Sequence, residues 1–375
     1  MSSPNAWLIV EAQADFALNL LREVSTDDRS CIVSPFSVAV TLSMVYAGAK
    51  EKTGQEMGQL LANGAREWEV QQYFGTLLKS VKSGQNSSNN TLETANKVYV
   101  AKGFSVREAF RGKIEGNYGG QLETVDFEDS EGTAEKINKF VKEATHEKIR
   151  DLISAEGIDE NTRLVLINAL YFKGTWANKF NPKLTKKAQF HMDEKNSKEL
   201  EMMQLTTIFI YYEDTQLQLL GMPYKGEKEF MFVLLPMERF GLAQLLAQLD
   251  GQKLVELIKK RNKCIVKVEL PKFTLEATHE LNKPLTNMGM ATASTDSANF
   301  EGISDKKPLL ISKVVQKALI EVNEEGTVAA AATNVRIASQ SSKERRQNLR
   351  FVADHPFCAF LIRDDSVLFS AIFRK

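Results

Sequence analysis

Cysteine and histidine are scarce in these 375 residues, at three and four, and neither sign of charge is in excess: Lys plus Arg and Asp plus Glu number 48 each. Without a net field, nothing draws the chain to nucleic acid or to an anionic membrane. Short basic runs such as Lys259 to Lys263 read as solvated surface. Apolar runs never reach the roughly 18 residues of a membrane span. Cys31, Cys264 and Cys358 are odd in number, far apart and without a CxxC pair, so buried or reduced thiols of an intracellular protein are expected. The first residues show no basic leader, apolar core and small-residue cleavage site. The cytoplasm is therefore the expected location, with export by other routes left open. Two sequons, at Asn86 and Asn89, matter only for a secreted chain.

Enzyme signatures are missing too. His146, His191, His279 and His355 fall in no HExxH, and GxSxG, GxGxxG and GxxxxGK[ST] are absent. Surface or structural histidines are the expectation, and no cysteine stands at metal-ligand spacing from one. No catalytic residue, metal or cofactor is therefore assigned. A hydrolase whose residues converge only on folding is the weaker reading.

What is present is periodicity. Phe16, Ala17, Leu20 and Leu21 share one face of an amphipathic helix. Ser34-Pro35 supplies an N-cap and a first-turn proline for a buried helix through VAVTLSMVYA, with Gly48 placed to stop it. A second long helix is expected over about Glu131 to Ile153, with Ile137, Phe140, Val141 and Ala144 on one side. Strand signals then take over. Arg163 to Phe172 is apolar enough to lie in a sheet covered on both faces, while Cys264 to Pro271 alternates. Glu229 to Pro236 and Phe357 to Arg363 are further short apolar runs. No internal repeat or linker divides the chain, so one α+β domain over 1–375 is expected, with mostly antiparallel strands.

Seven stretches in order resemble the serpin family across almost the whole chain: IVSPFSVAVTLSMVYAGAKEKT, ANKVYV, INKFVKEATHEKIRDLI, LVLINALYFKGTWANKF, MPYKGEKEFMFVLLP, LPKFTLEATHELNKPLTNMGM and VVQKALIEVNEEGTVAAAA. The resemblance, to the intracellular ovalbumin-like type, implies three β-sheets, one large and central, about nine helices, and an exposed reactive loop over about 324–350. It also implies a monomer that traps a serine or cysteine endopeptidase, trypsin-like or cathepsin-like, when the cut loop enters the large sheet as a new strand. The alternative within the family is a non-inhibitory carrier, chaperone or storage protein.

The resemblance makes Gly326, Thr327, Val328, Ala329, Ala330, Ala331, Ala332 and Thr333 the hinge. At strand period Thr327, Ala329, Ala331 and Thr333 share one face, small enough to enter a packed sheet. Alanine also favours helix, but one turn is costly to nucleate and β-branched residues flank the run. Counting sixteen positions on from Glu324 places the reactive bond at Gln340–Ser341, whereas counting back from Pro356 points to Arg345. Lys343, Arg345 and Arg346 therefore stay as alternatives, and KERR as a solvated loop tip is the plainer reading. By resemblance Ser34, Ser37 and Asn168 form a polar shutter beneath the opening sheet, with Gln316 where the family often has histidine. Trp176, Lys272 and Glu324 stand at the sheet's top. Ser294 and Ala371 replace a common aromatic and a common glycine.

Overall fold

A computed structural model describes residues 6–25, 28–84, 90–260, 262–325 and 349–375. The N-terminal part is helical: α1 (Ala6–Val24), α2 (Pro35–Tyr46), α3 (Glu51–Ala62) and α4 (Glu67–Gly84), with the short β1 (Cys31–Val33) between the first two. β2 (Asn90–Ala101), α5 (Glu108–Tyr118), β3 (Leu122–Val125), α6 (Ser130–Ala144) and β4 (Leu164–Gly174) follow. Next come β5 (Lys186–His191), β6 (Ser197–Glu213), β7 (Leu217–Pro223), β8 (Glu229–Pro236), α7 (Leu242–Gln248) and α8 (Gly251–Lys259). β9 (Lys263–Pro271), β10 (Phe273–Glu280), α9 (Asn282–Asn287), β11 (Ile311–Val322), β12 (Leu349–Val352), β13 (Phe357–Arg363) and β14 (Ser366–Phe373) complete the order. The expected count of about nine α-helices is met among the described residues.

α2 begins as the sequence predicts. The Ser34 hydroxyl accepts the Ser37 N–H, Pro35 needs no hydrogen-bond partner for its nitrogen, and every residue from Pro35 to Val45 is buried. It ends differently. A Cβ on Gly48 would come within 2.3 Å of Ile303 Cγ1, and one on Gly302 within 2.7 Å of Gly48 Cα, so this glycine serves a close backbone approach and not a left-handed stop.

α6 also departs from expectation, stopping at Ala144 well short of Ile153. His146 and Glu147 take positive φ, and the Thr145 hydroxyl accepts the Ile149 N–H. Asn138 then draws the chain back along the helix: its Oδ1 accepts the N–H groups of Leu152 and Ile153, and its Nδ2 donates to the Ile153 carbonyl. Ile149, Leu152 and Ile153 are buried by this fold-back, which mimics a continuing helical stripe.

Hydrogen bonds link the strands into two sheets, of nine and five strands. Two of the three expected sheets are merged in the nine-stranded sheet through β6, whose 17 residues pair with β5 at one end, with β7 at the other and with β9 between. The five-stranded sheet has the order β10-β11-β4-β2-β3. Within it β4 is buried along almost its whole length, as its unbroken apolar run predicts, and β9 in the other sheet alternates as expected. α2 packs on one face of the five-stranded sheet and α6 against β2. Buried side chains of both sheets and of α1 to α4 join in one continuous core.

Candidate functional site

The centre of interest is the pairing of β4 with β11. These strands are parallel neighbours, matched from Leu164 opposite Ile311 to Phe172 opposite Ile320, with an irregularity between Ile311 and Lys313. Their other neighbours, β2 and β10, are antiparallel to them.

A polar row crosses this sheet at mid-height. Asn96 on β2 stands opposite Asn168 on β4, Asn168 opposite Gln316 on β11, and Gln316 opposite His279 on β10. Directly opposed residues share a face, and here the face is that of α2 and β1. Ser34 N–H donates to Gln316 Oε1 at 2.9 Å, and Gln316 Nε2 returns a bond to the Ser34 carbonyl at 2.7 Å. The Ser34 hydroxyl donates to the Leu368 carbonyl of β14 at 2.7 Å, tying the row to the larger sheet. Ser37 Oγ donates to Asn96 Oδ1 and Thr41 Oγ1 to Asn168 Oδ1. Asn168 Nδ2 crosses to the Val315 carbonyl at 3.2 Å. Ser34, Ser37, Asn168 and Gln316 are thus brought together as expected, and Ser34 is both helix cap and inter-sheet tie.

Asn96, Thr41 and His279 are further members of the row. Only the register reveals the two strand residues, and Thr41 sits inside an apolar helix with no short-range signal. His279 Nε2 meets the Ile32 carbonyl at 2.9 Å, and burial pushes the imidazole below its ordinary value although that bond favours the cation. Gln316 removes a titrating group from its own position, while the next position in the row keeps one.

At the top of the strands, Trp176 Nε1 donates to the Asn323 carbonyl at 2.8 Å, and the Trp176 and Phe180 N–H groups donate to the carbonyls of Glu325 and Glu324. The Trp176 ring stacks on Tyr224 at 4.2 Å. Glu324 Oε1 accepts the Thr185 hydroxyl at 2.9 Å, and Oε2 lies 3.3 Å from Lys272 Nζ. Burial alone would raise the Glu324 carboxyl. Its own backbone N–H, Thr185 and Lys272 together hold it below the ordinary carboxylate range. Trp176, Lys272 and Glu324 therefore converge where the chain leaves β11. Thr185, Phe180 and Tyr224 complete the cluster.

The hinge, Gly326 to Thr333, and the bond candidates Gln340, Ser341, Lys343, Arg345 and Arg346 lie outside the described residues. Among the described histidines, His146 is exposed beside Glu93, and His355 is buried between Asp354 Oδ1 at 2.7 Å and the Pro236 carbonyl at 2.9 Å. Among the described residues, no group of three metal-ligating side chains is placed to hold an ion.

A family model described as Serpin (serine protease inhibitor) matches residues 11–373. The chain belongs to the serpin family. This serpin is 35% identical to the leukocyte elastase inhibitor of Homo sapiens over 95% of each chain. Serpin48, a highly specific serpin of the insect Tenebrio molitor, has 34% identity, covers 100% of this chain and 99% of its own, and superposes with a TM-score of 0.85. Human thyroxine-binding globulin, solved in complex with thyroxine, covers 98% of each chain at 26% identity and a TM-score of 0.86. The relatives thus include proteins named for inhibition and for ligand binding, on the fold built here.

Proposed function

We propose that this serpin is a suicide inhibitor of serine endopeptidases, with cysteine endopeptidases as further targets, and not itself an enzyme. The observation that carries the proposal is the direct parallel pairing of β4 with β11, together with the position at which the chain leaves it. Glu325, the last described residue before the hinge, is bonded to Trp176 at the top of the pair, so the chain continues from that end. A segment turning back from there runs antiparallel to β11 and, because the two strands are parallel, antiparallel to β4 as well. It can therefore pair on both edges once the strands separate. Gly326 to Gln340 exceeds the 11 residues of β4, enough to fill the gap, and its hinge holds small or β-branched side chains without proline.

In this reading the protease nucleophile attacks the Gln340 carbonyl, the bond to the Ser341 nitrogen breaks, and an acyl-enzyme forms. The freed hinge enters the sheet as a sixth strand and carries the protease with it before water can release the ester. Gln340 is preferred over Lys343, Arg345 and Arg346 because a later cut leaves a longer tether and less pull on the acyl group. We also read the chain as one domain over 1–375, which the continuous core of the described residues supports, and as a monomer.

Incubation with a panel of trypsin-like, elastase-like and cathepsin-like proteases tests the proposal. A complex that survives denaturant is expected with at least one, and mass spectrometry of the released fragment reads the bond directly. Clean cleavage by every protease, with no complex, would favour the second reading. That reading, a non-inhibitory carrier, is supported by the likeness to thyroxine-binding globulin.

A further inference from the structure

Charge is distributed unevenly about the seam between β4 and β11. Ion pairs join strands within each side of it: Lys317 with Glu276 at 2.9 Å and Lys313 with Glu280 at 3.3 Å between β11 and β10, and Lys97 with Glu123 at 2.7 Å between β2 and β3. Among the described residues one ion pair crosses the seam itself, Lys173 Nζ on β4 with Glu321 Oε2 on β11 at 3.0 Å. The other oxygen of the same carboxylate accepts the Tyr171 hydroxyl, also on β4, at 2.9 Å. Both charged side chains are about three-quarters covered. Lys148, from the turn after α6, lies over the Tyr171 ring at 5.6 Å. Burial would raise the Glu321 carboxyl, yet Lys173, Tyr171 and Lys148 hold it below the ordinary carboxylate range.

We infer that Glu321, gripped by Lys173 and Tyr171, is a latch across the seam that sets how fast β4 and β11 part. The inference rests on the insertion reading above. Neighbouring strands stand about 4.8 Å apart, and a strand entering between them roughly doubles that spacing. The 3.0 Å and 2.9 Å contacts cannot both persist through such a step. The pairs within each side, by contrast, travel with their strands. Glu321 is thus a positioning residue for the trapping step: a tighter latch gives water longer to release the acyl-enzyme, and a looser one favours trapping.

The test uses the full chain and a synthetic peptide with the sequence of residues 326–340, whose uptake into the sheet is followed by mass spectrometry under native conditions. Glu321→Gln is expected to anneal the peptide roughly fivefold faster, the scale of one partly covered charge pair of about 1 kcal/mol. The reversed pair, Glu321→Lys with Lys173→Glu, is expected to return the rate toward wild type. Lys317→Met, which removes a pair within one side, is expected to leave it unchanged. Glu321→Gln annealing at the wild-type rate overturns the latch, even if its thermal midpoint falls, and so does an acceleration that a folded reversed pair does not restore. If wild type takes up no peptide, the insertion reading fails. Hydrogen exchange at the amides of β4 and β11 then decides the latch separately: faster exchange in Glu321→Gln supports it, and equal exchange overturns it. The same measurement replaces the reversed pair if that variant does not fold.

Discussion

In the nine-stranded sheet, β13 and β14 are joined by the two-residue turn Asp364–Asp365, both at positive φ as a tight hairpin requires, and both strands are buried throughout. Its buried ion pair, Arg363 with Glu229 at 2.8 Å, stands at strand ends, where Asn90 Nδ2 and the Ser80 carbonyl also contact it. In the five-stranded sheet the central pair, β4 and β11, comes from segments 147 residues apart at the Asn168–Val315 bond, and polar amides run through its middle. The β13–β14 pair of the first sheet is fastened by a local hairpin and by apolar burial along both strands. The second is fastened across its seam by directional bonds, whose net worth is about 1 kcal/mol each because equivalent partners can replace them. Under the proposed insertion mechanism, a sheet that parts and accepts a strand is better held the second way.

The largest expected effect tests the permanent sheet. Arg363→Met leaves Glu229 buried without its cation and should cost about 3 kcal/mol, read from urea unfolding. Because the pair lies off the seam, the loss should be as large after loop cleavage as before. A loss confined to the intact form would break the comparison. Next, Asn168→Ala removes two buried side-chain bonds, from the Thr41 hydroxyl, which keeps the Val38 carbonyl as a partner, and to the Val315 carbonyl, and should cost about 2 kcal/mol. Exchange should quicken at β4 and β11 while β13 and β14 stay protected, and uniform quickening would mean that the seam is not a separate unit.

How much of this was legible in the sequence follows the same division. The cap at Ser34-Pro35, the apolar run of β4 and the alternation of β9 are local patterns, and each folds as its pattern dictates. The end of α6 was not legible, because Asn138 folds Leu152 and Ile153 back onto the helix at a spacing that imitates its continuation. The polar row was legible only in the residues that the family resemblance carried. Asn96 and His279 join it through cross-strand register, which no single segment encodes, and β6 bridges what were expected to be separate sheets.

Smaller effects concern pH. Glu324 is held below its unfolded value of about 4.3, so its contribution is present above that pH and is lost as pH falls through the lower folded value. Glu324→Gln should therefore lower stability by about 1 kcal/mol or less at neutral pH, and its thermal midpoint should converge with wild type in acid. A gap that persists at low pH would show packing and not charge. The smallest effect is at His279, whose folded value lies below the unfolded value of about 6.5. Its neutral form contributes above that pH, and stability should decline as pH drops below it. His279→Gln should flatten this decline by a few tenths of a kcal/mol, and an unchanged slope would remove His279 from the titrating groups of the seam.

The central claim is that β4 and β11 part to accept the hinge as a strand between them. The most direct measurement is the thermal midpoint of the intact protein against that of the same protein cut once within residues 340–346. The account predicts a large rise on cleavage, because the freed hinge completes a six-stranded sheet. A midpoint that stays the same or falls would contradict it.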